Sequence, residues 1–277
     1  MDRLEKEIAY LTRLVSFVHS PSSIPPAQGL MRGVQLIMVE KLKELVSLFD
    51  AHGVEYWLDF GSLLGAVRHG GFVPWDEDLD IAIRLQDRPK VINLLQKEGI
   101  EYYTHGSANG LLSVVLFKTS SYVVHIDIMA YALVENISDA DVDQANELMV
   151  NLNRKYACYS EEYHEEAMAG LASLQKKSGG NRSLYVRCVD SCLLYPTYTV
   201  PQEVLFPLAS MPFEGTSFKI PHCYEEYLTA LYKDYMQWPP VLHTNYIINQ
   251  LSEKERLQLI GTMKQQLHDA PSSCLRK

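Results

Sequence analysis

The stretch from Phe60 to Leu85, FGSLLGAVRHGGFVPWDEDLDIAIRL, constrains the fold more than any other part of this sequence. Trp57, Leu58 and Phe60 close an apolar run, Gly61-Ser62 interrupts it, and Leu63, Leu64, Ala66 and Val67 then recur as a helix core face does. The pattern predicts a strand running to Phe60, a Gly turn and a helix start. Backbone amides at such a turn point at whatever sits in front of them, and the helix dipole favours an anion there. Further on, Asp78 and Asp80 flank Leu79 and run into Ile81, Ala82 and Ile83. Alternation along a strand puts both acids on one face and turns Leu79 and Ile81 to the core.

Two carboxylates side by side repel one another, and a cation between them relieves the cost. Mg²⁺, with Mn²⁺ as its substitute, is the usual choice because it is hard, prefers oxygen and is readily shared with substrate phosphates. A Gly-Ser turn followed by an Asp-x-Asp strand therefore points to metal-assisted phosphoryl or nucleotidyl transfer. Taken alone, Asp-x-Asp also fits a hairpin edge with two solvated acids.

Charge and composition narrow the field. A net charge of −9 over 277 residues argues against nucleic acid as a partner, because neutralising phosphates takes a positive field. It equally argues against adhesion to an anionic membrane through charge alone. No window approaches the ~18 uninterrupted apolar residues of a spanning helix, and MDRLEKEIAY is too charged for a signal peptide. The expected location is the cytoplasm, with peripheral association at the inner face of the membrane left open. Five scattered cysteines fit reduced thiols better than a disulfide framework.

In chain order, residues 2–19 have the spacing of an amphipathic helix, expected to pack on the body or on a second subunit in a homodimer. Ser20–Gly29 is a Pro/Ser linker, and Leu30–Ala51 returns to helical periodicity before His52-Gly53 stops it. Strands are expected at Val54–Phe60, Leu79–Leu85, Ile100–Thr104, Leu111–Lys118 and Tyr122–Ala132. A helix capped by Asp87 is expected to run to about Glu98. Within Tyr122–Ala132, His125, Asp127 and Met129 share one face, and Asp127 is an isolated acid that needs a partner or a metal. Ser138 to about Leu194 reads as helical, and the acids of SEEYHEE as a solvated face. Pro201–Pro221 reads as irregular and strand-like, Tyr224–Met236 as a short helix and Leu251–Leu267 as a final helix.

Gly61-Ser62, then Asp78-Leu79-Asp80-Ile81, then Ile126-Asp127-Ile128 follow one another as in the nucleotidyltransferase fold of DNA polymerase beta-like enzymes. The full run from Gly61 to Ile81 closely resembles the signature of the LicD family of phosphocholine transferases, to which fukutin-related proteins are similar. Phe213-Glu214-Gly215, Ile220-Pro221, Tyr227-Leu228, Tyr232–Met236, Pro239-Pro240 and His243 resemble that family's closing segment. The resemblance covers roughly residues 30–245 and is weakest between 138 and 195. Two departures stand out: Glu77 where Asp is more common, and Lys233 where the family usually has Gly.

The resemblance implies an α+β fold, a mixed β-sheet flanked by helices, with a helical C-terminal portion. It divides the chain into an N-terminal helix and linker (1–29), a catalytic core (30–137) and a mainly helical portion completing the site (138–277). It further implies CDP-choline as donor and a hydroxyl of a glycan or lipid-linked oligosaccharide as acceptor, with another CDP-alcohol or a nucleotidyl transfer as alternatives. Asp78, Asp80 and Asp127 are the expected Mg²⁺ ligands, and Asp127 and Asp76 the rival general bases. Gly61, Ser62, Arg68, His69, Trp75 and His243 are the expected nucleotide and phosphate contacts.

Overall fold

A computed structural model describes residues 10, 11, 14, 20–104, 111–156, 159–188, 199–238 and 250–266. The amphipathic segment 2–19 lies outside them except for Tyr10, Leu11 and Leu14, which are helical and exposed. His243 lies outside them as well.

Helix α1 (Gly29–Ala51) buries Val34, Ile37, Met38, Leu42, Leu45 and Phe49, the stripe its periodicity marks out. Gly53 ends it in the left-handed region, where a glycine costs least. Then follow β1 (Tyr56–Leu58), α2 (Phe60–His69), β2 (Asp80–Arg84), α3 (Arg88–Lys97), β3 (Tyr102–Thr104), β4 (Leu112–Lys118) and the long β5 (Val123–Ile137). Beyond them come α4 (Val142–Lys155), α5 (Glu161–Ser178), β6 (Arg182–Arg187), β7 (Thr199–Pro201), the short α6 (Gln202–Leu205), the hairpin β8 (Ala209–Phe213) and β9 (Thr216–Ile220), α7 (Tyr224–Tyr232) and α8 (Glu253–Gln266).

The main sheet is mixed, in the order β1-β2-β5-β4-β3, with β6 pairing with β5 and β7 with β6. Only β2 and β5 run parallel among these pairs. Strand β5 is the axis of the sheet because its apolar content outlasts its first half: Ala130, Ala132 and Val134 are buried against α4, α5 and β6. Its other alternate face carries His125, Asp127, Met129 and Tyr131. The class is α+β, a mixed sheet flanked by helices. No helix among the described residues is long and apolar enough to cross a membrane.

Several local expectations need correction. Phe60 starts α2 instead of ending β1, so Gly61-Ser62 lies in the first turn of a helix and not in a loop before it. Asp78 precedes β2, although the ladder reaches back to Leu79, whose carbonyl accepts from the Asp127 amide at 2.8 Å. Asp87 sits at the N-terminus of α3 without a side-chain capping bond, its backbone already helical after a 3-10 turn. The segment read as helical to Leu194 contains β6, whose alternating Leu184 and Val186 fill the core that β5 leaves open on that face. In SEEYHEE, Ser160 caps α5 by accepting from the Tyr163 amide, and Tyr163 is fully buried between exposed acids.

Candidate active site

The site begins at the N-terminus of α2. Asp59, fully buried, caps this helix by accepting from the Phe60 amide at 2.8 Å. The first turn brings Gly61 against the acids: a Cβ there would lie 2.5 Å from Asp76 Oδ2 and 3.9 Å from Asp80 Oδ2. A side chain here would displace the Asp76 carboxylate, whose approach to the helix end the helix dipole favours. Ser62 is buried, and its hydroxyl accepts from the Asp80 amide at 2.8 Å. The serine expected to cradle phosphate thus also pins the first residue of β2 to α2.

Asp80 and Asp127 are direct register partners on the parallel strands β2 and β5, each only 8% exposed. Asp127 Oδ1 accepts from the Ser113 hydroxyl of β4 and lies 3.5 Å from His125 Nε2. Asp76 and Asp78 are half-buried, hemmed in by protein yet open to solvent on one side. Burial, then the Asp78 charge and a hydrogen bond to Asp78, push the Asp76 carboxyl well above the usual range. Asp80 is also raised well above it, by burial and then by the charges of Asp78, Asp127, Asp76 and Asp59. Asp78 is raised by burial, with the Asp76 bond working against the shift. For His125 burial lowers the pKa, but the bond and charge of Asp127 outweigh it and the imidazole is raised overall.

As posed, no three His, Cys, Asp or Glu side chains among the described residues form a ready cation cage; Asp76 and Asp78 are bonded to each other instead. The chemistry of the donor set nevertheless fits a hard divalent ion. Four carboxyl groups converge; burial and then neighbouring acids raise Asp76, Asp78 and Asp80, and a cation removes that mutual repulsion.

Arg68, in the last turn of α2, is buried and lies close enough to Asp76 to feel its charge. One guanidinium nitrogen donates to the Tyr235 carbonyl at 3.1 Å, while the buried Nε has no protein partner. That leaves a donor for a phosphate oxygen. His69 Nε2 donates to the Pro21 carbonyl at 3.1 Å, which ties the preceding linker to α2, and burial lowers its pKa. Trp75 stacks on Trp238 with centroids 5.4 Å apart and 16° between planes, and Arg68 sits 5.8 Å from its ring centroid. Its ring is engaged by protein.

Sequence reasoning missed Asp59 and the two tyrosines on it. Tyr131 of β5 donates to Asp59 Oδ2 at 2.8 Å, Tyr227 of α7 donates to Oδ1 at 2.7 Å, and the two hydroxyls meet at 2.9 Å. The Asp59 amide donates to the Asp80 carbonyl at 3.1 Å, so this network touches the main chain of a site acid. An Asp directly before a helix is a capping signal, concealed here by extending the strand one residue too far. Ser113 carries no signal in its own strand.

Residues 53–166 match the family described as LicD/FKTN/FKRP, nucleotidyltransferase domain. Ribitol 5-phosphate transferase FKRP of Homo sapiens is 48% identical over 62 residues, which is 22% of this chain and 12% of that relative. Lipopolysaccharide cholinephosphotransferase LicD of Haemophilus influenzae is 23% identical, with 76% of this chain and 92% of the relative aligned. A solved lincosamide antibiotic adenylyltransferase, LnuA with lincomycin bound, aligns with 81% of this chain at 14% identity and a TM-score of 0.33, too low to add to the family match. The matched region holds the signature from Gly61 to Ile81 and the acids it wraps around, so residues 53–166 are similar to the LicD/FKTN/FKRP nucleotidyltransferase domain.

Proposed function

We propose that this chain transfers a phosphorylated alcohol, phosphocholine foremost, from its CDP ester to a hydroxyl of a cell-surface glycan precursor, releasing CMP. The observation that carries the reading is the register pairing of Asp80 with Asp127, beside Asp78 and in front of the N-terminus of α2. In the reaction the acceptor oxygen bonds to the phosphorus that bears the alcohol, and the bond from that phosphorus to the CMP oxygen breaks. The acceptor proton passes to a carboxylate. Asp78, Asp80 and Asp127 would hold Mg²⁺, which when bound would supply positive charge to offset that developing on the departing CMP.

The chain's own groups do the rest. The first-turn amides around Gly61 and Ser62 and the Nε of Arg68 bind phosphate oxygens. Asp127 and Asp76 are the rival carboxylates for the acceptor proton, both standing at the acid cluster. His125 and Ser113 orient Asp127.

Choline is placed first because the cholinephosphotransferase relative aligns along nearly its whole length. Ribitol phosphate is the second reading, favoured by the higher identity of the 62-residue segment shared with FKRP. Incubation with CDP-choline, CDP-ribitol, CDP-glycerol or an NTP, with and without Mg²⁺, separates them. CMP release from one CDP-alcohol alone, dependent on Mg²⁺, supports the proposal; pyrophosphate release from an NTP with no CMP from any CDP-alcohol refutes it. Thermal shifts with the same compounds report binding without turnover, because a ligand of the native state stabilises it.

A further inference from the structure

Between the end of α2 and Asp78 the chain has no helix or strand of its own. Local bonds hold it only in part: Gly71 N to the Gly65 carbonyl at 3.4 Å, and Asp76 N to the Val73 carbonyl at 2.9 Å. A segment that aims two site acids needs more constraint than this, and it comes from two remote elements.

The first is the tip of the β8–β9 hairpin. Glu214 and Gly215 have φ of 51° and 76°, the paired left-handed residues that a tight primed turn demands. That turn sets Glu214 against the segment. Its amide donates to the Gly70 carbonyl at 2.9 Å, and its Oε1 accepts from the Phe72 amide at 3.1 Å. A side chain at Gly71 would collide with this carboxylate, a Cβ falling 2.3 Å from Oε1.

The second element is α1. Arg32 forks onto Glu214, Nη1 to Oε1 at 2.7 Å and Nη2 to Oε2 at 2.6 Å, with both side chains largely buried. One turn along, fully buried Gln35 donates to the Asp76 carbonyl at 2.9 Å and to the Val73 carbonyl at 3.4 Å. The first turns of α1 and the hairpin tip therefore grip the main chain of residues 70–76.

We infer that Arg32, Gln35 and Glu214 are positioning residues, a clamp that fixes the main chain carrying Asp76 and Asp78 and so sets the geometry of the acid cluster. The inference rests on the phosphoryl-transfer reading for its consequence in turnover, but not for its structural content. Groups one step removed from metal ligands typically change metal affinity or activity about 10- to 100-fold when lost.

The test compares wild type with Glu214→Ala, Glu214→Gln and Arg32→Lys. Glu214→Gln retains an oxygen for the Phe72 amide and loses the charge; Glu214→Ala loses both. For Glu214→Ala we expect amide hydrogen exchange in a peptide spanning 70–78 to speed up about tenfold, with β2 and the first half of β5 unchanged. Half-saturating Mn²⁺, read by calorimetry, rises about tenfold, and kcat with the CDP-alcohol falls while KM for it moves less than about threefold. Glu214→Gln and Arg32→Lys lie between, and they carry the test if the alanine variant does not fold. A variant that lowers Tm but leaves exchange in 70–78 and Mn²⁺ affinity unchanged overturns the clamp and leaves an ordinary hairpin staple. If the wild type releases no CMP from any CDP-alcohol, the functional reading fails, and exchange in 70–78 still decides the clamp.

Discussion

Replacing Tyr227 by Phe probes the buried network behind the acids with little disturbance to packing. The ring is fully buried and Phe fills the same space, so no cavity opens. What disappears is a hydroxyl donating to Asp59 Oδ1 at 2.7 Å and meeting the Tyr131 hydroxyl at 2.9 Å. A hydrogen bond to a charged acceptor contributes ~1.5–3 kcal/mol, and with both hydroxyl protons committed to Asp59 the contact between the tyrosines adds no second bond. Two bonds that stay temper the loss: Tyr131 still donates to Oδ2 at 2.8 Å, and the Phe60 amide to Oδ1 at 2.8 Å. The carboxylate is weakened, not stripped, and the expected cost is ~2–3 kcal/mol. In a chain of this size that lowers Tm by roughly 4–10 °C.

Urea unfolding is the assay, with an unchanged m-value required so that the midpoint shift reports stability alone. Tyr224→Phe, half-buried on the same helix, serves as control and should change stability by less than ~0.5 kcal/mol. If Tyr227→Phe costs no more than that control, Asp59 does not tie α7 to β5, and the reasoning from the buried network collapses.

Asp80→Asn should abolish transfer yet raise Tm in EDTA by roughly 2–4 °C, because it removes one member of a mutually repelling buried set; an unchanged or lower Tm would argue that the acids do not strain the fold. Lys233 closes α7 with φ 62° and ψ −112°, a conformation costly for any side chain, which explains the glycine expected there; Lys233→Gly should stabilise by ~1 kcal/mol in chemical denaturation. For Glu214, burial raises the carboxyl, but the Arg32 and Phe72 bonds outweigh it and hold the folded pKa below its ordinary 4.5. A depressed acid contributes stability above its unfolded pKa and loses it as pH falls through the folded value. The Tm gap between wild type and Glu214→Gln should be full at neutral pH and shrink below roughly pH 4, and a gap that widens in acid would contradict the assignment.

What could be read along the chain and what could not follow from how each residue is held. Asp80 and Asp127 announce themselves because each puts a carboxylate into an apolar, alternating run, and Asp78 because it stands two residues before Asp80, a local inconsistency of the kind expected at a functional site. Their convergence does not follow from that alternation, since it depends on β2 and β5 pairing in parallel across the chain between them. The boundary at Phe60 escapes because one residue with φ 39° turns a strand directly into a helix, a backbone event with no periodic trace. Segment β6 escapes because six residues placed between helices offer too short a pattern to outweigh their surroundings. The residues that support the acids are harder still. Arg32 and Glu214 are 182 positions apart, and Asp59 and Tyr227 are 168 apart. Arg32, Glu214 and Tyr227 are locally unremarkable: an arginine in a helix, a glutamate in a turn, a tyrosine on a core face. Hydrogen-bond partners of this kind break no local rule, so periodicity exposes the acids and conceals the residues that hold the chain around them. Perturbing the concealed set separates the two roles, because the acids should control the reaction itself and the residues behind them the affinity and geometry it requires.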